Sequence, residues 1–280
     1  MYSPLETNTN YTDNYEVIVE KLTSHIQEKK PILFLKFGDG EYLCASNHRN
    51  GDVANCDADI YTDKLSVQLI ESFKYITENE NLNTYIGKWW NNEITKYWNS
   101  LLSTGHQVRW VDYHTFIINK SDFYDGVIQT KLALYKSIQD SDLKKYIICN
   151  PLLIKSKMLL NADEIFHVPF QNWFDTQFDN LIEKLCEKIG DNPQPIIITS
   201  CGMGAKVLIC EMAKKYPRGI FLDFGSAMDI ICTKRDSRGF CYSYESLYEI
   251  FKPILPDNWH DPSFEHIYDQ ARKYMGLHCP

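Results

Sequence analysis

Short apolar runs rich in Ile and Phe recur along this chain, and each passes through a turn into a stretch of helical periodicity. The clearest are Ile32–Leu35, Tyr146–Asn150, Pro195–Ser200 and Ile220–Phe224. Apolar runs of this kind, bounded by turn residues, read as strands buried on both faces. Pro151–Leu160, Phe174–Ile189 and Lys206–Tyr216 carry apolar residues at helical spacing between them. Strands that alternate with helices require right-handed crossovers and a sheet covered on both sides. The expected fold is therefore α/β, a Rossmann-like, mostly parallel sheet with helices on both faces.

Further strands are expected at Thr84–Gly87, Gln107–Val111 and Glu164–Val168. Further helices are expected at Tyr15–Lys29, at Asp63–Ile76, in a segment ending at Leu102, and at Phe123–Ile138. Residues 1–13 are polar and read as a flexible tail, and residues 14–235 read as the α/β domain. Residues 236–280 read as a helical appendage, with helices at Tyr244–Phe251 and Phe264–Tyr274 around Pro253, Pro256 and Pro262. The apolar faces of those helices make a homodimer an expectation.

Composition narrows the function classes. A net charge of −8 with no block of Lys or Arg argues against an extended nucleic-acid surface. An acidic protein that handles an anionic ligand needs local positive charge. Nine cysteines, with no CxxC pair and no zinc spacing, read as reduced thiols. No apolar run approaches a membrane span and no leader is visible, so the expected location is cytoplasmic.

Four stretches, and the loop that follows the first of them, could carry chemistry. In Phe34–Glu41 an apolar strand ends in Gly38-Asp39-Gly40-Glu41. Two carboxylates two residues apart at a strand end can share a hard cation. They can equally face water and cap the next helix. The loop that follows holds His48, Arg49, Asp52, Asp57 and Asp59, facing either a ligand or solvent only. In Ile196–Leu208 a strand enters Ser200-Cys201-Gly202-Met203-Gly204 and goes directly into a helix. Such a turn aims backbone N–H groups and the positive helix end at an anion, though it is neither a Walker A loop nor a complete dinucleotide fingerprint. In Phe221–Asp229 an acid again ends a strand, so Asp223 and Asp229 either meet a ligand hydroxyl or cap the turn. In His167–Asp175, Gln171 and Asn172 either read a base or sugar edge or cap a helix.

Taken in order, these stretches resemble bacterial sugar transferases of the GT-D fold. Lys36-Phe37-Gly38-Asp39-Gly40-Glu41 is similar to that family's Arg-Phe-Gly-Asp-Gly-Glu signature, with Lys36 standing where Arg is usual. Pro169-Phe170-Gln171-Asn172-Trp173-Phe174-Asp175 resembles its proline–x–x–Asn–aromatic stretch, and Ser200–Leu208 with Leu222–Asp229 resembles its late strand–turn–helix–strand unit. The resemblance spans about residues 30–230 and does not reach the C-terminal segment. It implies a metal-dependent glycosyltransferase that moves a sugar from a nucleoside-diphosphate sugar, UDP-sugar first, to a hydroxyl of a glycan or glycoconjugate. Asp39 and Glu41 would hold Mn²⁺ or Mg²⁺ on the diphosphate. Lys36, Gly38, Gly40, Asn172, Ser200, Gly202 and Gly204 would bind the donor, and Asp223, Asp229 and the His48–Asp59 loop are candidates for the base. The alternatives are a Rossmann-like methyltransferase, or a module that binds a nucleotide or sugar without catalysis.

Overall fold

The structure is a computed structural model that describes residues 15–46, 60–120, 122, 126–191, 193–235 and 243–274. The expected tail and the loop with His48, Arg49, Asp52, Asp57 and Asp59 lie outside the described residues. The strands are β1 (Ile32–Phe37), β2 (Thr84–Lys88), β3 (Trp110–Asp112), β4 (Lys145–Cys149), β5 (Glu164–His167), β6 (Ile196–Ser200) and β7 (Ile220–Asp223). They form one seven-stranded sheet in the order β3-β2-β1-β7-β6-β4-β5. Every pairing is parallel.

The helices are α1 (Tyr15–Gln27), α2 (Asp39–Ala45), α3 (Asp63–Glu78), α4 (Asn92–Ser100), α5 (Ile128–Asp140), α6 (Ser156–Leu159), α7 (Trp173–Ile189), α8 (Gly204–Lys215), α9 (Asp229–Thr233), α10 (Tyr244–Phe251) and α11 (Pro262–Tyr274). They divide between the sheet's two faces as the period of a strand demands. Leu33, Leu35 and Phe37 of β1 pack with Phe73 of α3, Trp98 of α4, Phe178 of α7 and Leu208 of α8. Ile32 and Phe34 point the other way, to Leu22 of α1, Tyr135 of α5 and Phe251 of α10. Phe37, the last residue before Gly38, is wedged edge-on between Phe73 and Trp98, at ring separations of 5.0 and 4.8 Å.

Several boundaries differ from the sequence expectation. β3 begins only at Trp110, because the Trp110 N–H bonds back to the Val108 carbonyl at 3.1 Å. The helix expected at Phe123–Ile138 runs Ile128–Asp140. Before it, buried Lys131 pins the incoming chain by pairing with Asp122 at 2.9 Å and bonding to the Ile117 carbonyl. Pro151–Leu160 is a 3-10 turn, Pro151–Leu153, followed by the short α6. Between the two, Lys155 turns inward to Glu265 and lies 5.4 Å from the Trp259 ring.

The C-terminal helices dock on the sheet. Leu247, Phe251 and Trp259 join the core of one face. The Tyr268 hydroxyl donates to the Thr233 carbonyl at 2.8 Å. Among the described residues, no helix is long and apolar enough to cross a membrane. Six cysteines are described, all as free thiols.

Because Phe37 fixes where β1 stops, truncating it removes packing directly beneath the Gly38 turn. Phe37→Ala is expected to cost about 3–5 kcal/mol in urea unfolding. A loss below about 1 kcal/mol would show that the aromatic wedge does not anchor that strand end.

Candidate functional site

A cavity of about 580 Å³ opens at the carboxyl edge of the sheet. That is the edge where open α/β sheets bind their ligands. The segment after every strand contributes to its wall: Asp39 after β1, Trp89 after β2, Tyr113 after β3, Asn150 after β4, Phe170 after β5, Ser200 at the end of β6 and Ser226 after β7.

Asp39 and Glu41 do not sit on an open turn. They occupy the first turn of α2, where acids complement the positive helix end. The Glu41 carboxylate accepts the Gly38 N–H at 2.8 Å through Oε2, the half of a capping box that remains when the N-cap is a glycine without a side chain. Its other oxygen, Oε1, lies 2.7 Å from the Lys206 ammonium. Lys206 in turn lies 2.9 Å from Asp223 Oδ2 and donates to the Gly202 carbonyl at 3.3 Å. Asp223 is held further by the Lys36 N–H at 3.2 Å and the Gly225 N–H at 3.1 Å. This cluster joins β1, α2, β7 and α8.

Lys36 falls in register with Ile32 and Phe34 and ends in the same buried layer. Its ammonium donates to the Phe224 carbonyl at 2.7 Å and lies 5.0 Å from the Tyr113 ring centroid. Gly225 makes that possible: its φ is +53°, and a Cβ there would meet Lys36 Nζ at 2.8 Å. The Ser200 hydroxyl donates to the Gly225 carbonyl, tying the end of β6 to the turn after β7.

The environment separates the charged groups. Burial pulls the Lys36 ammonium down to about 8, with Asp223 opposing the shift and Lys206 adding to it. Burial works against the charge of Lys206 too, but Asp223 and Glu41 outweigh it and its pKa rises. Burial raises Asp112 to about 6 and, with help from Lys36, lowers His114 to about 4. His114 is therefore neutral at pH 7 on the cavity wall.

The expected site residues are thus divided. Lys36, Asp39, Gly40, Glu41, Ser200, Gly202 and Asp229 line the cavity. Gly38, Asn172, Gly204 and Asp223 do not. Gly38 donates the capping hydrogen bond. Asn172 is the left-handed residue at φ 53° that starts α7. Gly204 makes room for the Trp173 ring, 2.7 Å from where a Cβ would stand. Asp223 is 1% exposed with both oxygens engaged, so it positions Lys206 and is not aimed at a ligand.

Sequence reading missed Lys206, Tyr113, His114 and Trp89 as lining residues. A signal for Lys206 was present. Every residue of Gly204–Cys210 is buried, and a lysine in a helix buried all round has to find carboxylates. Trp89, Tyr113 and His114 gave none, because strand ends rich in aromatics also fit a core.

The Asp39–Glu41 clamp on Mn²⁺ or Mg²⁺, which the resemblance implied, does not fit these side chains. A hard cation needs its oxygens at about 2.0–2.6 Å, and the ammonium of Lys206 already stands 2.7 Å from Glu41 Oε1. The second Glu41 oxygen is committed to the cap. Among the described residues no group of three or more His, Cys, Asp or Glu side chains is arranged to hold a metal ion.

No protein-family model and no curated protein sequence matches this chain. Solved structures do. The selenomethionine-substituted structure of domain of unknown function 1792 aligns at a TM-score of 0.52 with 17% identity, covering 84% of this chain and 87% of that one. A structure of the same domain, described as having a distinct glycosyltransferase fold, aligns at 0.52 with 18% identity and the same coverage, 84% and 87%. A glycosyltransferase of this domain type from Streptococcus sanguinis aligns at 0.52 with 15% identity, covering 87% of this chain and 95% of that one. The chain therefore has the α/β glycosyltransferase fold of these neighbours, as the resemblance in sequence implied.

Lys36 gives the site a pH signature. Its folded pKa of about 8 lies below the ordinary 10.5. Between those values the unfolded chain keeps a proton that the folded chain has released, so stability rises with pH. Relative to Lys36→Met, the unmodified protein is expected to gain up to about 3 kcal/mol across that window in urea titrations. A difference that stays flat from pH 8 to 10.5 would contradict the buried, charge-strained Lys36.

Proposed function

We propose that this protein is a glycosyltransferase that moves a sugar from a nucleoside-diphosphate sugar, with UDP-sugars as the first class to try, onto a hydroxyl of a glycan or glycoconjugate. The observation that carries the reading is the cavity at the carboxyl edge, where Lys36 and Lys206 line a wall together with the Cys201–Met203 turn into α8. A volume of about 580 Å³ suits a ligand of this size. The glycosyltransferase fold of the neighbours supports the same class.

In this reading the acceptor oxygen bonds to the anomeric carbon as that carbon's bond to the diphosphate oxygen breaks. The electron pair leaves on the diphosphate. Lys36, Lys206 and the positive end of α8 meet the charge that develops there. Asp229, on the wall at the start of α9, takes the proton of the acceptor hydroxyl. Trp89 and Phe170 offer ring faces against which a sugar can lie. His114, neutral at pH 7, adds a hydrogen-bonding wall without further charge.

Thermal-shift titration with UDP-, GDP- and TDP-sugars beside S-adenosylmethionine tests the substrate class. Stabilisation by one sugar nucleotide, followed by release of its nucleoside diphosphate on incubation, is expected. A shift with S-adenosylmethionine alone would assign a methyltransferase, and a shift without turnover on any acceptor would assign a binding module. Asp229→Asn is expected to lower turnover by about 10²–10⁴-fold while donor affinity holds. Full turnover in that variant would remove Asp229 from the reaction.

A further inference from the structure

We propose that Lys206 is the fixed cation of this site: its ammonium occupies the place that a divalent ion would take at Glu41, so the donor diphosphate binds without a metal there. The inference rests on the sugar-nucleotide reading above, and it concerns which positive charge does the work. Lys206 Nζ sits in a cage of three oxygens, Glu41 Oε1 at 2.7 Å, Asp223 Oδ2 at 2.9 Å and the Gly202 carbonyl at 3.3 Å. Three acceptors match the three donors of an ammonium. The same set, two carboxylates and a carbonyl, is also one a hard cation would accept. The cage can hold either, not both. A divalent ion at bonding distance from Oε1 would stand beside an ammonium already on that oxygen, and like charges so close in a buried site exclude each other.

The lysine is also costly to displace. Its side chain is 5% exposed and rises from a helix whose first two turns are buried. Moving it out would leave Asp223, 1% exposed, without its charged partner. From this position Lys206 still reaches the cavity wall, beside Lys36 and the turn into α8. The site thus carries its positive charge on side chains.

The test measures metal and nucleotide binding separately, by calorimetry with MnCl₂ and with UDP (GDP or TDP if the panel selects those). The expected result is that UDP binds the unmodified protein equally, within about threefold, in EDTA and in Mn²⁺. In Lys206→Ala the emptied cage should acquire Mn²⁺ binding that the unmodified protein lacks, and the added change Glu41→Gln should remove it. UDP affinity of Lys206→Ala should fall about tenfold or more in EDTA and recover in Mn²⁺, which a purely structural lysine would not produce. If the alanine variant does not fold, Glu41→Gln alone decides, since Lys206 keeps Asp223. Mn²⁺ affinity equal to that of the unmodified protein, or absent in both, upholds the proposal, and a loss of about tenfold overturns it. UDP binding that collapses in EDTA, in a protein whose Mn²⁺ site depends on Glu41, also overturns it while the sugar-transfer reading stands. If no nucleoside diphosphate binds in either buffer, that reading fails instead. The Mn²⁺ titrations then decide the cage alone: metal bound by Lys206→Ala and not by the unmodified protein upholds it, and no gain overturns it.

Discussion

The ammonium of Lys206 between Glu41 and Asp223 joins three elements that lie far apart in the chain. Glu41 belongs to the first turn of α2, Asp223 to the end of β7 and Lys206 to the first turn of α8. Removing a member of a buried ion cluster of this kind is costly, because each charge left alone would face desolvation unaided. Its geometry therefore sets the mutual position of these elements at the sheet's carboxyl edge. Lys36 extends the same arrangement: its N–H is on Asp223 and its ammonium on the Phe224 carbonyl. Close packing around Gly225 and Gly204 lets the side chains approach. Two ammoniums and one helix N-terminus consequently face one cavity in a protein of net charge −8. Local order supplies what the overall composition withholds.

The aromatic layer beneath that edge has a matching role. Phe37 is locked by Phe73 and Trp98 just before the chain turns at Gly38. Phe224 is stacked on Phe116 at 4.2 Å just after Asp223. Charged groups at the two central strand ends are thus set on rigid ring packing. That is the kind of support a site needs if its donors are to be aimed before the ligand arrives.

Much of the fold was legible in the sequence for a plain reason. Buried parallel strands must be continuous apolar runs, and the runs at Ile32, Tyr146, Ile196 and Ile220 coincide with β1, β4, β6 and β7. Edges and short helices were less legible because single tertiary contacts decide them. The local bond from Trp110 to Val108 shortens β3, and Lys131 holds the chain ahead of α5. At the site, the motif Gly38-Asp39-Gly40-Glu41 indicated where to look but not what its acids do. Two alternatives were open, a shared cation or a helix cap. Glu41 takes the cap, and its cation is a lysine from a residue far along the chain. No spacing rule could pair Glu41 with Lys206. Only the burial of Lys206 in α8, an apolar helix apart from that residue in its first two turns, hinted that a carboxylate was waiting.

The most direct test is a crystal structure of the protein with UDP and MnCl₂, recorded where manganese scatters anomalously. The account predicts the diphosphate in the cavity, against Lys36 and the turn into α8, with Lys206 still on Glu41 and no manganese peak at that carboxylate. A manganese peak at bonding distance from both Asp39 and Glu41, with Lys206 swung away, would contradict the built-in cation. UDP bound elsewhere on the protein would contradict the site itself.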